Sequence, residues 1–211
     1  MSPIIIKICG IQSLEIAETV VQNGADFMGF IFAPSRRYIA PEKAAQISQQ
    51  IRCVKKVGVF VNETIDKVNE IAGQCHLDYV QLHGDETPEY CKEISYPIIK
   101  AFRYNEEFDS HTVNQYDVDM VLIDSYQVGK AGGTGKTFSW QEAKQSFFEI
   151  KPPILVAGGL TICNVKEAIQ VLSPMGIDVS GGVEINGQKS VEQIKKFLAY
   201  ARSLEWGNEE C

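Results

Sequence analysis

The chain has 211 residues, of which 45% are hydrophobic and 22% are charged, a composition typical of globular proteins. Its 27 acidic and 20 basic side chains give a net charge of -7 without any run of lysine and arginine, so we expect no nucleic-acid partner. No apolar run reaches the length of a membrane span, and the apolar run near the N-terminus is too short for a signal peptide. We therefore expect a cytoplasmic protein without a membrane partner.

Eight short runs rich in Ile, Val and Phe recur along the chain, each as long as a buried parallel strand. Segments with helical periodicity lie between most of them, and several begin at a capping residue such as Ser13 or Ser190. Residues 105–117 are mostly polar and give only a weak indication of a helix. In chain order the predicted strands are Ile4–Cys9, Asp26–Phe32, Lys55–Val61, Asp78–His83, Pro97–Phe102, Asp119–Asp124, Ile154–Ala157 and Ile177–Ser180.

This alternation of strands and helices, without a long linker, predicts a single α/β domain. Two architectures fit it, a doubly wound open sheet and a closed (β/α)8 TIM barrel. An open sheet would carry a GxGxxG fingerprint after its first strand, but the sequence there reads Cys9-Gly10-Ile11-Gln12. Eight evenly spaced units favour the barrel, over residues 1–205, with a frayed tail at 206–211.

Chemistry in a barrel gathers at the carboxyl ends of the strands. Three glycine-rich segments fall late in the chain, 132–136, 157–160 and 180–183, where backbone N–H groups could hold a phosphate; the alternative is that they are turn glycines. A P-loop is excluded because the position five residues before Gly135 is Lys130. The other unusual residues at predicted strand ends are Cys9, Arg36, Arg37, Asn62, His83 and Asp124.

Strand parity also predicts a buried ion pair. Lys7 shares parity with Cys9, and Asp178 shares parity with Ser180 on the last strand, which neighbours the first strand when a barrel closes. We predict that Lys7 and Asp178 pair inside the barrel, since either charge alone would be costly there, and we hypothesise that Lys7 also favours the Cys9 thiolate. Three aspartates that begin strands are predicted at the opposite end of the barrel, where they would serve stability: Asp26, Asp78 and Asp119.

An ordered set of motifs, from about residue 4 to residue 200, resembles the phosphoribosylanthranilate isomerase family of tryptophan biosynthesis. Each motif alone is weakly specific, but their order makes the set highly specific. The motifs are Lys7-Ile8-Cys9-Gly10, Gly24-Ala25-Asp26, Gly29-Phe30-Ile31-Phe32, Ser35-Arg36-Arg37-Tyr38, Val57-Gly58-Val59-Phe60-Val61-Asn62, Val80-Gln81-Leu82-His83-Gly84, Gly132-Gly133-Thr134-Gly135, Phe138-Ser139-Trp140, Ala157-Gly158-Gly159-Leu160, Asp178-Val179-Ser180 and Gly182-Val183-Glu184.

The resemblance implies a barrel enzyme that converts N-(5'-phosphoribosyl)anthranilate to 1-(o-carboxyphenylamino)-1-deoxyribulose 5-phosphate by an Amadori rearrangement, without a cofactor or metal. It implies that Cys9 is the general base, Asp124 the general acid and Arg37 a contact to the anthranilate end. His83 either contacts the substrate or shapes the pocket. We expect a monomer in preference to a homodimer. The phosphate would lie against the loops that contain Gly133, Gly158, Gly159, Ser180 and Gly181.

Two departures from the family pattern affect the binding site. The family usually has two serines where this chain has Ser180-Gly181, which leaves open whether a hydroxyl or a backbone N–H binds phosphate there. The segment Phe32–Arg37 is one residue shorter than in many relatives, so Arg36 remains an alternative to Arg37.

The reaction places different demands on the two catalytic candidates. Asp124 would have to give a proton to the ring oxygen, and burial behind an apolar strand would keep it protonated. Cys9 would have to take the C2' proton, for which we expect a nearby cation or amide dipoles to lower its pKa from about 8.5 to about 7.

Other interpretations of these residues stay open at this point. Cys9 alone would be a small buried hydrophobe, Asp124 a helix cap or loop residue, and Arg37 a surface side chain paired with Glu42. A related isomerase of histidine biosynthesis would use two carboxylates and a substrate with two phosphates. A non-catalytic phosphoribosyl-binding module would need the phosphate loops but neither Cys9 nor Asp124. The six cysteines form no CxxC pair and no zinc spacing, so we expect free thiols.

Overall fold

The computed structural model of the chain describes residues 4–124 and 140–204. Its eight parallel strands pair in sequence order, and β8 closes the barrel against β1. The predicted TIM barrel is confirmed, and the strand ends differ from the predicted ones by at most one residue. The strands are β1 (Ile5–Cys9), β2 (Phe27–Ile31), β3 (Lys55–Phe60), β4 (Tyr79–Leu82), β5 (Ile98–Arg103), β6 (Met120–Asp124), β7 (Ile154–Ala157) and β8 (Gly176–Val179).

Helices alternate with these strands. Ser13 and Ser190 cap the helices that follow them, as predicted, by accepting hydrogen bonds from backbone N–H groups. The polar gap at 105–117 forms one helical turn, which Asp109 caps through the N–H groups of His111 and Thr112. The helices are α1 (Leu14–Gln22), α2 (Pro41–Gln50), α3 (Ile65–Gln74), α4 (Pro88–Lys92), α5 (Ser110–Val113), α6 (Trp140–Phe148), α7 (Val165–Leu172) and α8 (Val191–Ser203).

The strands separate two apolar layers. Residues that alternate along a strand face either the helices or the barrel interior, so Ile6 and Ile8 belong to the outer layer while Lys7 and Cys9 face inward. The same alternation directs Asp124 inward, because it shares parity with the interior residue Leu122. The interior layer consists of Phe27, Val57, Ile99, Ala101, Met120, Leu122, Leu155 and Ala157.

Aspartates stabilise the amino-terminal end of the barrel. Each precedes a strand and accepts a hydrogen bond from an N–H group of the strand before it, which ties neighbouring strands together. The predicted location of these residues is confirmed. The bonds run to Asp26 from Ile6 N (2.7 Å), to Asp78 from Lys56 N (2.9 Å) and to Asp119 from Ile98 N (2.8 Å).

The connection after β8 crosses the carboxyl end of the barrel. A 3-10 turn over Gly181–Val183 leads into a small antiparallel hairpin of β9 (Glu184–Ile185) and β10 (Gln188–Lys189). The hairpin turn contains Gly187 at φ +80°, a left-handed conformation that favours glycine. This connection carries two charged residues, Glu184 and Lys189, at the carboxyl end of the barrel. Within 4–124 and 140–204, no helix is long and apolar enough to cross a membrane.

Candidate active site

The predicted site residues gather at the carboxyl end of the barrel, which we call the mouth. Cys9 is the last residue of β1 and Asp124 the last residue of β6. His83, Gly158 and Ser180 each directly follow a strand, namely β4, β7 and β8. Gly133 lies outside the described residues.

The ion pair predicted from strand parity is present below the mouth. Lys7 and Asp178 are paired in register across β1 and β8, and Lys7 Nζ lies 2.9 Å from Asp178 Oδ2. The Lys7 side chain is fully buried, and that of Asp178 is 8% exposed. Burial alone would lower the pKa of Lys7, but Asp178 and the neighbouring Cys9 raise it, so the lysine is held as a cation.

The Cys9 thiol lies beside this pair. Gly29 on β2 leaves room for it, because a Cβ at Gly29 would lie 2.8 Å from Cys9 Sγ and 3.3 Å from Lys7 Nζ. Burial raises the pKa of Cys9, Lys7 lowers it, and the carboxylate of Asp178 raises it again; the net direction is upward. The expected lowering towards 7 is therefore wrong for the protein without substrate. Desolvation inside the barrel outweighs the charges of two cations, Lys7 and Lys189, and the charge of Lys7 is already shared with Asp178.

Asp124 belongs to a chain of polar side chains across three inward positions. His83 Nε2 lies 3.4 Å from Asp124 Oδ2, and Gln81 Nε2 lies 2.9 Å from His83 Nδ1. The Asp124 side chain is 21% exposed, so it is less buried than the apolar strand before it suggested. Gln81 had no assigned role in the sequence; the available signal was an amide at an inward position of β4.

Arg37 is fixed by a carboxylate on the β8–α8 connection. Its Nε and Nη2 donate to Glu184 Oε1 and Oε2 at 2.5 and 3.0 Å, and Arg36 Nη2 donates to Oε2 at 2.7 Å. The alternative pairing of Arg37 with Glu42 is wrong. The Arg37 side chain is 23% exposed and that of Arg36 is 60% exposed, which favours Arg37 as the contact at the mouth. Its stem also packs on Gly10, next to Cys9, where a Cβ would lie 2.8 Å from Arg37 Cδ.

Glu184 also accepts a hydrogen bond from Lys189 Nζ at 2.7 Å. Burial would raise the pKa of Glu184, but the hydrogen bonds and charges of Arg37 and Lys189 outweigh burial and lower it to about 2. Three cationic side chains therefore share one carboxylate. The mouth gains a local positive charge in a chain whose net charge is -7, as a site for an anion requires. The sequence did not single out Glu184 or Lys189 for this role.

The two described glycine-rich loops meet at the same end. Gly158 and Gly159 have φ of +87° and +64°, which favours glycine at both positions. A side chain at Gly182 would overlap the carbonyl oxygen of Leu160, so the loops after β7 and β8 touch there. Ser180 Oγ donates to Cys9 O at 3.0 Å, and Lys189 Nζ donates to Ser180 O at 2.9 Å. The loop after β8 is thus tied both to the end of β1 and to the cationic cluster.

Comparison with known proteins identifies the family. The family model described as N-(5'phosphoribosyl)anthranilate (PRA) isomerase matches residues 6–200. The chain belongs to this family. The resemblance carried by the motifs is confirmed, and the site described above is the mouth of a PRA isomerase family barrel.

Individual relatives agree with this assignment. The N-(5'-phosphoribosyl)anthranilate isomerase of Bacillus cereus is 42% identical over 197 residues, which cover 93% of this chain and 98% of that protein. A crystal structure of mutually generated monomers of the dimeric enzyme from Thermotoga maritima has a TM-score of 0.81 at 36% identity, covering 95% of this chain and 100% of that one. A family structure in complex with reduced 1-(o-carboxyphenylamino)-1-deoxyribulose 5-phosphate has a TM-score of 0.81 at 35% identity, with the same coverage.

Proposed function

We propose that this chain converts N-(5'-phosphoribosyl)anthranilate to 1-(o-carboxyphenylamino)-1-deoxyribulose 5-phosphate in tryptophan biosynthesis, with Cys9 as general base and Asp124 as general acid. The observation that carries the proposal is that a buried thiol and an inward carboxyl both lie at the mouth of a family barrel that also has a cationic cluster. The reaction is an internal aldose–ketose isomerisation, and acid–base chemistry alone balances it.

Asp124 starts the reaction. Opening of the furanose breaks the C1'–O bond, and the ring oxygen must receive a proton as the amine nitrogen forms a Schiff base with C1'. A partly exposed carboxyl at the end of β6 can reach a substrate seated in the mouth. A positioned acid of this kind contributes roughly 10²–10⁴-fold to the rate.

Cys9 completes the reaction by removing the C2' proton, after which the enol tautomerises to the ketose. The thiol of the protein without substrate favours its protonated form, because burial raises its pKa. The ring-opened intermediate is a protonated Schiff base, so its positive charge develops one bond from C2'. This cation supplies charge that Lys7 and Lys189 do not provide, and it favours the thiolate at the step that needs a base.

The remaining residues bind the two anionic ends of the substrate. Arg37 contacts the anthranilate carboxylate through guanidinium hydrogens that Glu184 does not occupy, with Arg36 beside it. His83 faces the sugar, which lies between the two anionic ends of the substrate. The phosphate lies against the loops of Gly158-Gly159 and Ser180-Gly181, and we extend this role to Gly133.

Turnover followed by the loss of substrate fluorescence tests the proposal, with phosphoribosylanthranilate generated in situ. We expect Cys9→Ala and Asp124→Ala each to lower kcat by roughly 10² or more. Cys53→Ser is the matched control, because this exposed thiol precedes β3 at the opposite end of the barrel. Wild-type rates in either site variant would contradict the assigned roles. Binding of substrate without any turnover in the wild type would indicate a phosphoribosyl-binding module.

The oligomeric state and the compartment are the remaining parts of the proposal. We expect a cytoplasmic monomer, in contrast to the Thermotoga maritima relative, which is described as dimeric. Sedimentation velocity across a hundredfold range of concentration distinguishes the two states. A constant mass of about twice the 23.5 kDa chain would contradict the monomer.

A further inference from the structure

Gln81 is a buried polar side chain at an inward position of the barrel. It lies on β4 with only 1% of its surface exposed, and its neighbours Val80 and Leu82 face the outer apolar layer. Among residues 4–124 and 140–204, its Oε1 accepts no hydrogen bond. An amide with an unsatisfied oxygen is costly in such a place, so packing alone does not account for it.

The other end of this amide determines which nitrogen of His83 carries a proton. Gln81 Nε2 lies 2.9 Å from His83 Nδ1, and an amide nitrogen can only donate. With the amide in this orientation His83 Nδ1 accepts, which leaves the imidazole proton on Nε2. That nitrogen lies 3.4 Å from Asp124 Oδ2 and can donate to it.

We propose that Gln81 is a positioning residue that holds His83 as the neutral Nε2–H tautomer, so that His83 orients Asp124 as the acid. This inference rests on the proposed function. A doubly protonated His83 would place an N–H group against the amide N–H of Gln81, so Gln81 disfavours it. This matters because an imidazolium would place a full positive charge beside the Asp124 carboxyl, whereas the neutral Nε2–H tautomer orients the carboxyl without adding that charge.

The wild-type protein tests the tautomer directly. A long-range ¹⁵N–¹H correlation spectrum separates protonated from unprotonated imidazole nitrogens, and the chain has only three histidines to assign, with His83→Gln as the reference. We expect one tautomer of His83 at pH 7.5, with the proton on Nε2. A proton on Nδ1 would mean that the amide has the opposite orientation, and it would overturn the proposal. This readout needs no turnover, so it is independent of the proposed function.

Two variants test the consequence for the acid. Gln81→Glu offers a carboxylate to Nδ1, so we expect both imidazole nitrogens to be protonated at pH 7.5 and kcat to fall by at least about tenfold. Gln81→Met keeps the volume but removes the donor, so we expect a mixture of tautomers and a smaller fall in kcat. In both variants KM should change less than kcat, because the substrate contacts remain.

Leu82→Met is the matched control, since it changes the next residue of β4 on its outer face. We expect it to leave the His83 spectrum and kcat unchanged. A single Nε2–H tautomer in Gln81→Met with wild-type kcat would overturn the proposal. If Gln81→Glu does not fold, the wild-type and Gln81→Met spectra still decide it.

Discussion

Two of the buried lysine–carboxylate pairs in residues 4–124 and 140–204, Lys7–Asp178 and Lys100–Glu86, differ in how completely their polar atoms are satisfied. Lys100 and Glu86 lie outside the barrel under the β4–α4 loop, 3.1 Å apart. Lys100 Nζ also donates to Gly84 O at 2.8 Å, and Glu86 accepts hydrogen bonds from the N–H groups of Asn62 and Gly84. The pair therefore fixes the loop that follows His83.

The pair inside the barrel is less completely bonded. Lys7 Nζ donates to Asp178 Oδ2, whereas Asp178 Oδ1 accepts no hydrogen bond in the described part of the chain. The charges of both residues also act on Cys9. A saturated buried pair is suited to holding backbone in place, and an unsaturated one beside a reactive group is suited to influencing that group. This contrast makes predictions for each pair.

The largest effect is expected from breaking the interior pair. Lys7→Met leaves the Asp178 carboxylate buried without its cation, and we expect the free energy of unfolding to fall by about 3–5 kcal/mol. The double variant Lys7→Met with Asp178→Leu removes both charges and should recover most of that loss. Urea unfolding at pH 7 measures both.

Lys100→Met is the comparison within the same experiment. Glu86 would keep its backbone N–H partners, so the loss should be smaller than for Lys7→Met. An equal or larger loss in Lys100→Met would show that hydrogen-bond saturation does not distinguish the pairs.

Glu184 is a further case, a carboxylate that pairs with three cations. Its contribution to the free energy of unfolding should depend on pH. Its pKa of about 2 lies below the ordinary 4.5, so the stabilisation is present at neutral pH and is lost as the pH falls from about 4.5 towards 2. The difference of about 2.5 pKa units corresponds to about 3 kcal/mol at pH 7. We expect Glu184→Gln to cost this amount at pH 7 and less than half of it at pH 3, as measured by urea unfolding. A cost independent of pH would contradict the prediction.

The interior pair is also expected to change the pKa of Cys9, an effect that is smaller than those on the free energy of unfolding. Lys7→Met removes the nearer of the two cations that lower the pKa of Cys9, leaves Lys189, and leaves the Asp178 carboxylate that raises it, so that pKa should rise further. A rise of one unit lowers the thiolate fraction about tenfold. Alkylation of the Cys9 peptide at several pH values, followed by mass spectrometry, measures this, with Lys100→Met as the control. An unchanged pH profile in Lys7→Met would remove Lys7 from any role in activating the thiol.

The sequence predicted most of the fold because the fold depends on periodic features. The alternation of apolar runs located all eight strands, and strand parity with barrel closure placed Lys7 beside Asp178. The bonds of Glu184 to Arg37 join residues 147 positions apart through two loops, and no period relates them. The direction of the Cys9 pKa was also missed, because it depends on how desolvation balances charges whose distances the sequence does not contain.

The smallest effect concerns Gly181, where the family usually has a serine. A Cβ at Gly181 would lie 3.6 Å from Arg37 Nη2, an ordinary contact, so a serine fits without displacing the loop. If a hydroxyl at this position binds phosphate, Gly181→Ser should lower the Kd for inorganic phosphate by up to about tenfold, the effect of one added hydrogen bond to a charged group. Calorimetry measures it. Gly182→Ser is the matched control and should weaken binding, because its side chain would overlap Leu160 O and push the loops after β7 and β8 apart. An unchanged Kd in Gly181→Ser, with weaker binding in Gly182→Ser, would assign the contact at 181 to the backbone N–H.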